Sequence, residues 1–182
     1  MACIFLIGFM ASGKTTIGKA LAARLDASFA DTDSLVERRE GAPIRKIFAR
    51  RGESRFRRLE TEVLRDLLDT CSGRHAVIAT GGGLPCTDDN MSLMNSRGVT
   101  VYLQSSIDDI MARVERVGER PIFKRLGSRE GLLELLKNRE PVYLRARLVV
   151  ENSNATPPDR TAERIARMLE EGFDIRTGSI SP

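Results

Sequence analysis

The sequence predicts one α/β domain of three layers, a central parallel sheet with helices on both faces. Three observations carry that prediction. Short apolar runs recur along the chain, bounded by glycine or polar clusters, as buried parallel strands are. Between them lie stretches whose apolar residues step by three and four, the period of a helix packed on one face. A glycine-rich turn links the first apolar run to the first helical stretch. Strands alternating with helices specify a parallel sheet, because parallel neighbours need a crossover connection.

In chain order, Cys3 to Ile7 is the first strand, and Thr15 to Leu25 a helix with Ile17, Leu21 and Leu25 on one side. Ser28 to Ala30 is a short second strand. From Phe48 to Leu68 the positions Phe56, Leu59, Val63 and Leu67 keep helical spacing. Ala76 to Ala79 and Thr100 to Leu103 are further strands, with a loop turning into a short helix after Cys86. Ile107 to Val117 is a helix opened by Ser106 with Asp109 three residues on, a capping-box pattern. Leu132 to Leu136 belongs to another helix, Leu148 to Val150 to the last strand, and Ala162 to Leu169 to the last helix.

The 182 residues fit one domain, here residues 1–172, with 173–182 a loose tail lacking apolar periodicity. Net charge is +4, and arginine carries most of the positive charge, since lysine occurs only at 14, 19, 46, 124 and 137. Arginine suits carboxylate and phosphate, although a GC-rich genome produces the same bias. No basic stripe alternates with aromatics, and Trp is absent, which argues against nucleic acid as a partner. Cys3, Cys71 and Cys86 are odd in number and lack metal-ligand spacing, which points to a reducing compartment. The apolar start of the chain has no basic segment before it and meets Lys14 soon after, so it is a strand and not a signal or membrane span. A cytoplasmic monomer is the expectation.

Gly8-Phe9-Met10-Ala11-Ser12-Gly13-Lys14-Thr15 fits G-x-x-x-x-G-K-[ST] between a strand and a helix. Backbone N–H groups of such a loop, with the positive end of the following helix, hold phosphates. Ala11, Ser12, Gly13, Lys14, Thr15 and Thr16 are therefore the candidate nucleotide contacts. Lys14 reaches the β- and γ-phosphates, and the Thr15 hydroxyl suits Mg²⁺. The loop specifies a nucleotide, not a reaction.

Asp31-Thr32-Asp33 follows the second strand; in extended chain both carboxylates face one side, at the sheet's ligand-binding end. One suits Mg²⁺ through water and the other a hydroxyl proton; the alternative is an Asp serving as a helix N-cap. Arg57 and Glu60, three apart on a helix, are either a surface ion pair or a carboxylate holding a guanidinium for an anionic ligand. Gly81-Gly82-Gly83 directly after a strand points to close approach of backbone to ligand. His75, at the start of a strand, reads as an ordinary strand-edge residue.

The order of these motifs resembles the shikimate kinase family over residues 4 to 169. To the loop, the Asp-x-Asp, the Phe-Arg-x-x-Glu and the triple glycine it adds Arg120-Pro121 and Arg139-Glu140-Pro141-Val142-Tyr143. The resemblance implies a P-loop kinase with ATP and shikimate as ligands. In it Asp33 is the acceptor-binding base, Thr15 the direct Mg²⁺ ligand and Asp31 the outer one. Arg57 and Arg139, with the Gly82 N–H, hold the acceptor carboxylate. Arg120 closes onto the phosphates from a mobile lid at about 118–130, and Arg113 stacks on adenine against a loop near Ala155 to Pro158. The family usually has glycine where this chain has Ala11. Two other readings stay open: a gluconate kinase of the same architecture, and a nucleotide-binding module with no small acceptor.

Overall fold

The computed structural model describes residues 3–70, 75–117, 128–173 and 175. Five strands, β1 (Cys3–Ile7), β2 (Ser28–Asp31), β3 (Ala76–Ala79), β4 (Gly98–Gln104) and β5 (Leu148–Glu151), form one sheet in the order β2-β3-β1-β4-β5. Every pairing is parallel; Cys3 lies opposite both Ala76 and Gly98.

β1 is central and buried along its whole length, which its unbroken apolar run requires. Its alternate residues divide between two cores. Ile4 and Leu6 pack with Ile17 and Leu21 of α1 (Lys14–Arg24) and with Ile165 and Leu169 of α7 (Pro158–Phe173). Phe5 and Ile7 face Met91 and Met94 of α4 (Asn90–Arg97), Ile110 and Val114 of α5 (Ile107–Val117), and Leu132, Leu136 and Tyr143 of α6 (Arg129–Tyr143). A smaller core of Val36, Ile47, Phe56, Leu59 and Val63 joins α2 (Thr32–Glu40) to α3 (Ile44–Thr70).

Several expectations change in detail. Helix α2 was not expected: in TDSLVERRE only Thr32 and Val36 are buried, too few to set a period. Its presence corrects the account of Asp31 and Asp33. They do not alternate along extended chain; Asp31 is the N-cap and Asp33 lies in the first helical turn. Helix α3 starts before Phe48 and bends at Gly52, whose φ of 75° and ψ of 169° interrupt it. Ser128 caps α6 by accepting from the Gly131 N–H at 3.2 Å, so Ser128, Arg129 and Glu130 form the start of that helix. At the other end, Ile175 is buried in the second core and its N–H donates to the Leu169 carbonyl.

The β1–α1 loop, the β2–α2 junction and the triple glycine after β3 all lie at the carboxyl ends of neighbouring parallel strands, where open α/β sheets hold ligands. Among the described residues no helix is long and apolar enough to cross a membrane.

Candidate active site

One cavity of about 850 Å³ runs from the β1–α1 loop to Arg139 in the C-terminal half of α6. Ala11, Gly13, Lys14, Thr15, Thr16, Asp31, Asp33, Arg57, Gly82, Arg113 and Arg139 all line it. The structure thus brings together the sequence candidates it describes, with one exception. Ser12 is fully buried behind the loop and its N–H donates to the Phe9 carbonyl at 3.3 Å. Arg120 and most of the expected lid lie outside the described residues.

At the loop, Gly8 and Gly13 have φ of 140° and 86°, conformations open to glycine alone or nearly so. Ala11 also has a positive φ, 57°, in the left-handed region that an alanine enters at a cost of about 1–2 kcal/mol. That conformation explains why a glycine suits this position. The Lys14 ammonium donates to the Gly8 and Phe9 carbonyls at 3.0 and 2.7 Å and to Ser12 Oγ at 3.3 Å, so it is held within the loop.

Thr15 Oγ1 donates to Asp31 Oδ2 at 2.7 Å. The other oxygen, Oδ1, accepts from the N–H groups of Asp33 and Ser34 at 3.0 and 3.3 Å. Of the roles considered for Asp31, the helix cap is seen in Oδ1, while Oδ2 stands beside the Thr15 hydroxyl. Capping α2 fixes Asp31 while its other oxygen stays beside the threonine hydroxyl.

At the far end, Arg57 Nη1 donates to Glu60 Oε2 at 2.6 Å and Nη2 to Glu53 Oε1 at 3.1 Å. Glu60 is 1% exposed. Burial pushes its carboxyl up to about 7, with the Asp33 charge adding to that and the Arg57 and Arg139 guanidiniums opposing it. Burial works against the Arg57 charge, but Glu60 and then Glu53 outweigh it and hold its pKa above the ordinary value. Phe48 and Phe56 stack with ring centroids 4.4 Å apart, and the Arg57 guanidinium lies over both rings at 5.9 and 5.3 Å.

The triple glycine fits between these groups. None of Gly81, Gly82 and Gly83 has a positive φ; space is what they supply. A Cβ at Gly81 would collide with the Glu60 and Asp33 carboxylates, one at Gly83 with the Arg57 guanidinium, and one at Gly82 would come within 3.7 Å of Arg139 Nη1. The Gly81 carbonyl accepts from the Leu84 N–H at 3.1 Å, so across the trans peptide the Gly82 N–H points the other way. Tyr143, whose phenol burial keeps protonated, donates to the Gly82 carbonyl at 2.6 Å.

Sequence reasoning missed the roof and the back of this cavity. Glu37, Pro43, Ile44, Arg45 and Phe48 line it from α2 and the start of α3, and no periodicity marks them. Arg113 is held by Asn154 Oδ1 at 2.7 Å, Ser105 Oγ at 3.1 Å and the Ala11 and Asn152 carbonyls at 3.3 and 3.2 Å. Asp109 in turn accepts from the Asn154 N–H at 2.8 Å and from the Ser106 hydroxyl at 2.7 Å. The capping box of α5 was the only signal of this support.

A phosphate-loop motif opening a parallel-sheet domain, with two guanidiniums lining the same cavity, places the chain in the P-loop class. The chain belongs to the shikimate kinase family, whose family model matches residues 10–170. The shikimate kinase of Nitrosospira multiformis is 36% identical over 175 residues, covering 96% of this chain and 87% of that protein. The structure of shikimate kinase from Acinetobacter baumannii in complex with shikimate superposes with a TM-score of 0.87 at 34% identity, covering 95% of each chain. A gluconokinase from Sinorhizobium meliloti shares the fold alone, at TM-score 0.56 and 18% identity over 94% of this chain and 97% of that one.

Proposed function

We propose that this chain transfers the γ-phosphoryl group of ATP to the 3-hydroxyl of shikimate, giving shikimate 3-phosphate and ADP. The observation that carries this reading is the juxtaposition, in one cavity, of a phosphate loop with two guanidiniums beside a triple glycine and with the Asp33 carboxylate near Gly81.

Arg57 and Arg139, with the Gly82 N–H, take the acceptor carboxylate. Glu60 and Glu53 limit the rotamers of Arg57, so little freedom is lost when the acceptor arrives. Asp33 accepts the hydroxyl proton as the acceptor oxygen bonds to the γ-phosphorus and the bond to the ADP oxygen breaks. A base of this kind supplies roughly 10²- to 10⁴-fold. Lys14 neutralises the phosphates, and Arg120, outside the described residues, would add its charge. Arg113 faces the base of the nucleotide.

The hydroxyl of Thr15 beside the carboxylate of Asp31 is a hard-oxygen pair that fits Mg²⁺, an ion bound through one or two such groups with water and phosphate. When bound it would neutralise charge on the phosphate oxygens. The reaction consumes ATP, and we place it in the cytoplasm, with no nucleic acid or membrane partner and as a monomer.

A phosphoryl-transfer assay across a panel of hydroxy acids tests the proposal. Rapid ADP release with shikimate and little with gluconate supports it. Preference for gluconate, or ATP binding with no acceptor used, supports one of the two other readings instead.

A further inference from the structure

Behind the phosphate loop lies a buried polar pair, Asn152 and Thr161, that the proposed chemistry does not use. Asn152, at the end of β5, is 3% exposed. Its Nδ2 donates to the Ser12 carbonyl at 2.7 Å, across 140 residues of chain. Thr161, fully buried at the start of α7, donates to Asn152 Oδ1 at 3.4 Å and so sets which end of the amide meets the loop. The backbone of Asn152 is tied as well, its N–H to the Gln104 carbonyl at 2.7 Å and its carbonyl to the Ser105 hydroxyl at 2.7 Å and Arg113 Nη2 at 3.2 Å.

A trans peptide points its C=O and the next N–H in opposite directions. Holding the Ser12 carbonyl against β5 therefore turns the Gly13 N–H to the face away from Asn152. Gly13, with φ of 86°, caps α1 and is the residue whose backbone is freest to rotate at this point. We infer that Asn152 is a positioning residue for the nucleotide site: its amide fixes the 12–13 peptide so that the Gly13 N–H is preset for a phosphate oxygen, and Thr161 orients that amide. This rests on the phosphate loop being the nucleotide site. Asn152 touches no substrate in this account; it acts through the loop.

The test is calorimetric binding of MgADP and, separately, of shikimate to wild type, Asn152→Leu and Thr161→Val. Leucine keeps the volume but leaves the buried Ser12 carbonyl without its donor, which should weaken MgADP about tenfold. Shikimate affinity should change less than about twofold, because its clamp lies on α3 and α6. Thr161→Val, a milder change, should shift MgADP in the same direction by a smaller factor. In ¹⁵N-edited spectra the Gly13 amide should move on adding MgADP to wild type and move less in Asn152→Leu. Equal weakening of both ligands would mean general loosening and would overturn the inference, as would unchanged MgADP affinity in both variants. Should Asn152→Leu not fold, Thr161→Val and its Gly13 amide decide alone. Wild type that binds no MgADP would instead defeat the nucleotide-site reading itself.

Discussion

Gly83→Ala isolates the acceptor clamp from the rest of the fold. Gly83 has φ of −89° and ψ of −19°, a conformation alanine adopts freely, so the substitution strains no backbone. The added Cβ would lie 2.6 Å from Arg57 Cζ and 2.9 Å from Nη2, and nearer still to Nη1. Carbon contacts settle near about 3.5–4 Å, so the guanidinium must withdraw by roughly 1 Å. It is the end of a long side chain and can do so without unfolding anything; what it loses is its alignment with Glu60 and Glu53. A misplacement of about 1 Å at a positioning group can cost about 10²-fold, which corresponds to about 2.7 kcal/mol. Steady-state kinetics should therefore show shikimate kcat/KM falling about 10²-fold, with KM for ATP and the melting temperature nearly unchanged. Shikimate binding in an Arg57→Ala background supplies the control, because there the guanidinium atoms the methyl would strike are gone and it should do little further harm. Gly83→Ala with wild-type shikimate kinetics, or equal damage with and without Arg57, would refute the steric argument.

Asp33→Asn should abolish most turnover while leaving ATP affinity near wild type, a loss of roughly 10²- to 10⁴-fold, and near-normal turnover removes Asp33 from the base role. Arg57→Lys and Arg139→Lys keep charge but lose the planar fork, so they should weaken shikimate far more than an analogue without the carboxylate; equal losses for both would mean the carboxylate is not what they hold. The Glu60 carboxyl, raised from 4.5 to about 7, keeps its proton in the folded state over a window where the unfolded chain has lost it. Its contribution is thus fully present below about pH 4.5 and lost as pH rises through about 7. Urea titrations should find Glu60→Gln gaining stability relative to wild type across that window, and a constant difference contradicts the assignment. Arg120→Ala should lower turnover sharply with a modest loss of ATP affinity, and exchange in residues 118–127 should slow when both ligands bind; wild-type turnover with unchanged exchange leaves a solvated basic loop.

How much of this was legible in the sequence depends on the signal each part leaves. The strands were plain because β1 and β3 are buried on both faces and so read as unbroken apolar runs. Helix α2 was invisible, since only Thr32 and Val36 are buried, and its absence from the reading led to the wrong geometry for Asp33. The triple glycine pointed to close approach of a ligand; the room it gives the Asp33, Glu60 and Arg57 side chains is a further reason for it that no local pattern reveals. Asn152 escaped for the same reason: it acts through contacts made only when distant segments meet, as the 140 residues between it and Ser12 illustrate.

The measurement closest to the central claim is the ratio of kcat/KM for shikimate to that for gluconate, with the product identified by ³¹P resonance. Both acceptors carry a carboxylate and hydroxyls, so only a clamp and a carboxylate spaced for the shikimate ring separate them. A site that pairs its polar groups with one ligand can reject a mismatched one by about 10⁴-fold or more. The account predicts a ratio on that order, with a single product phosphorylated at the 3-hydroxyl. A ratio near one, or phosphate found on another hydroxyl, would contradict it.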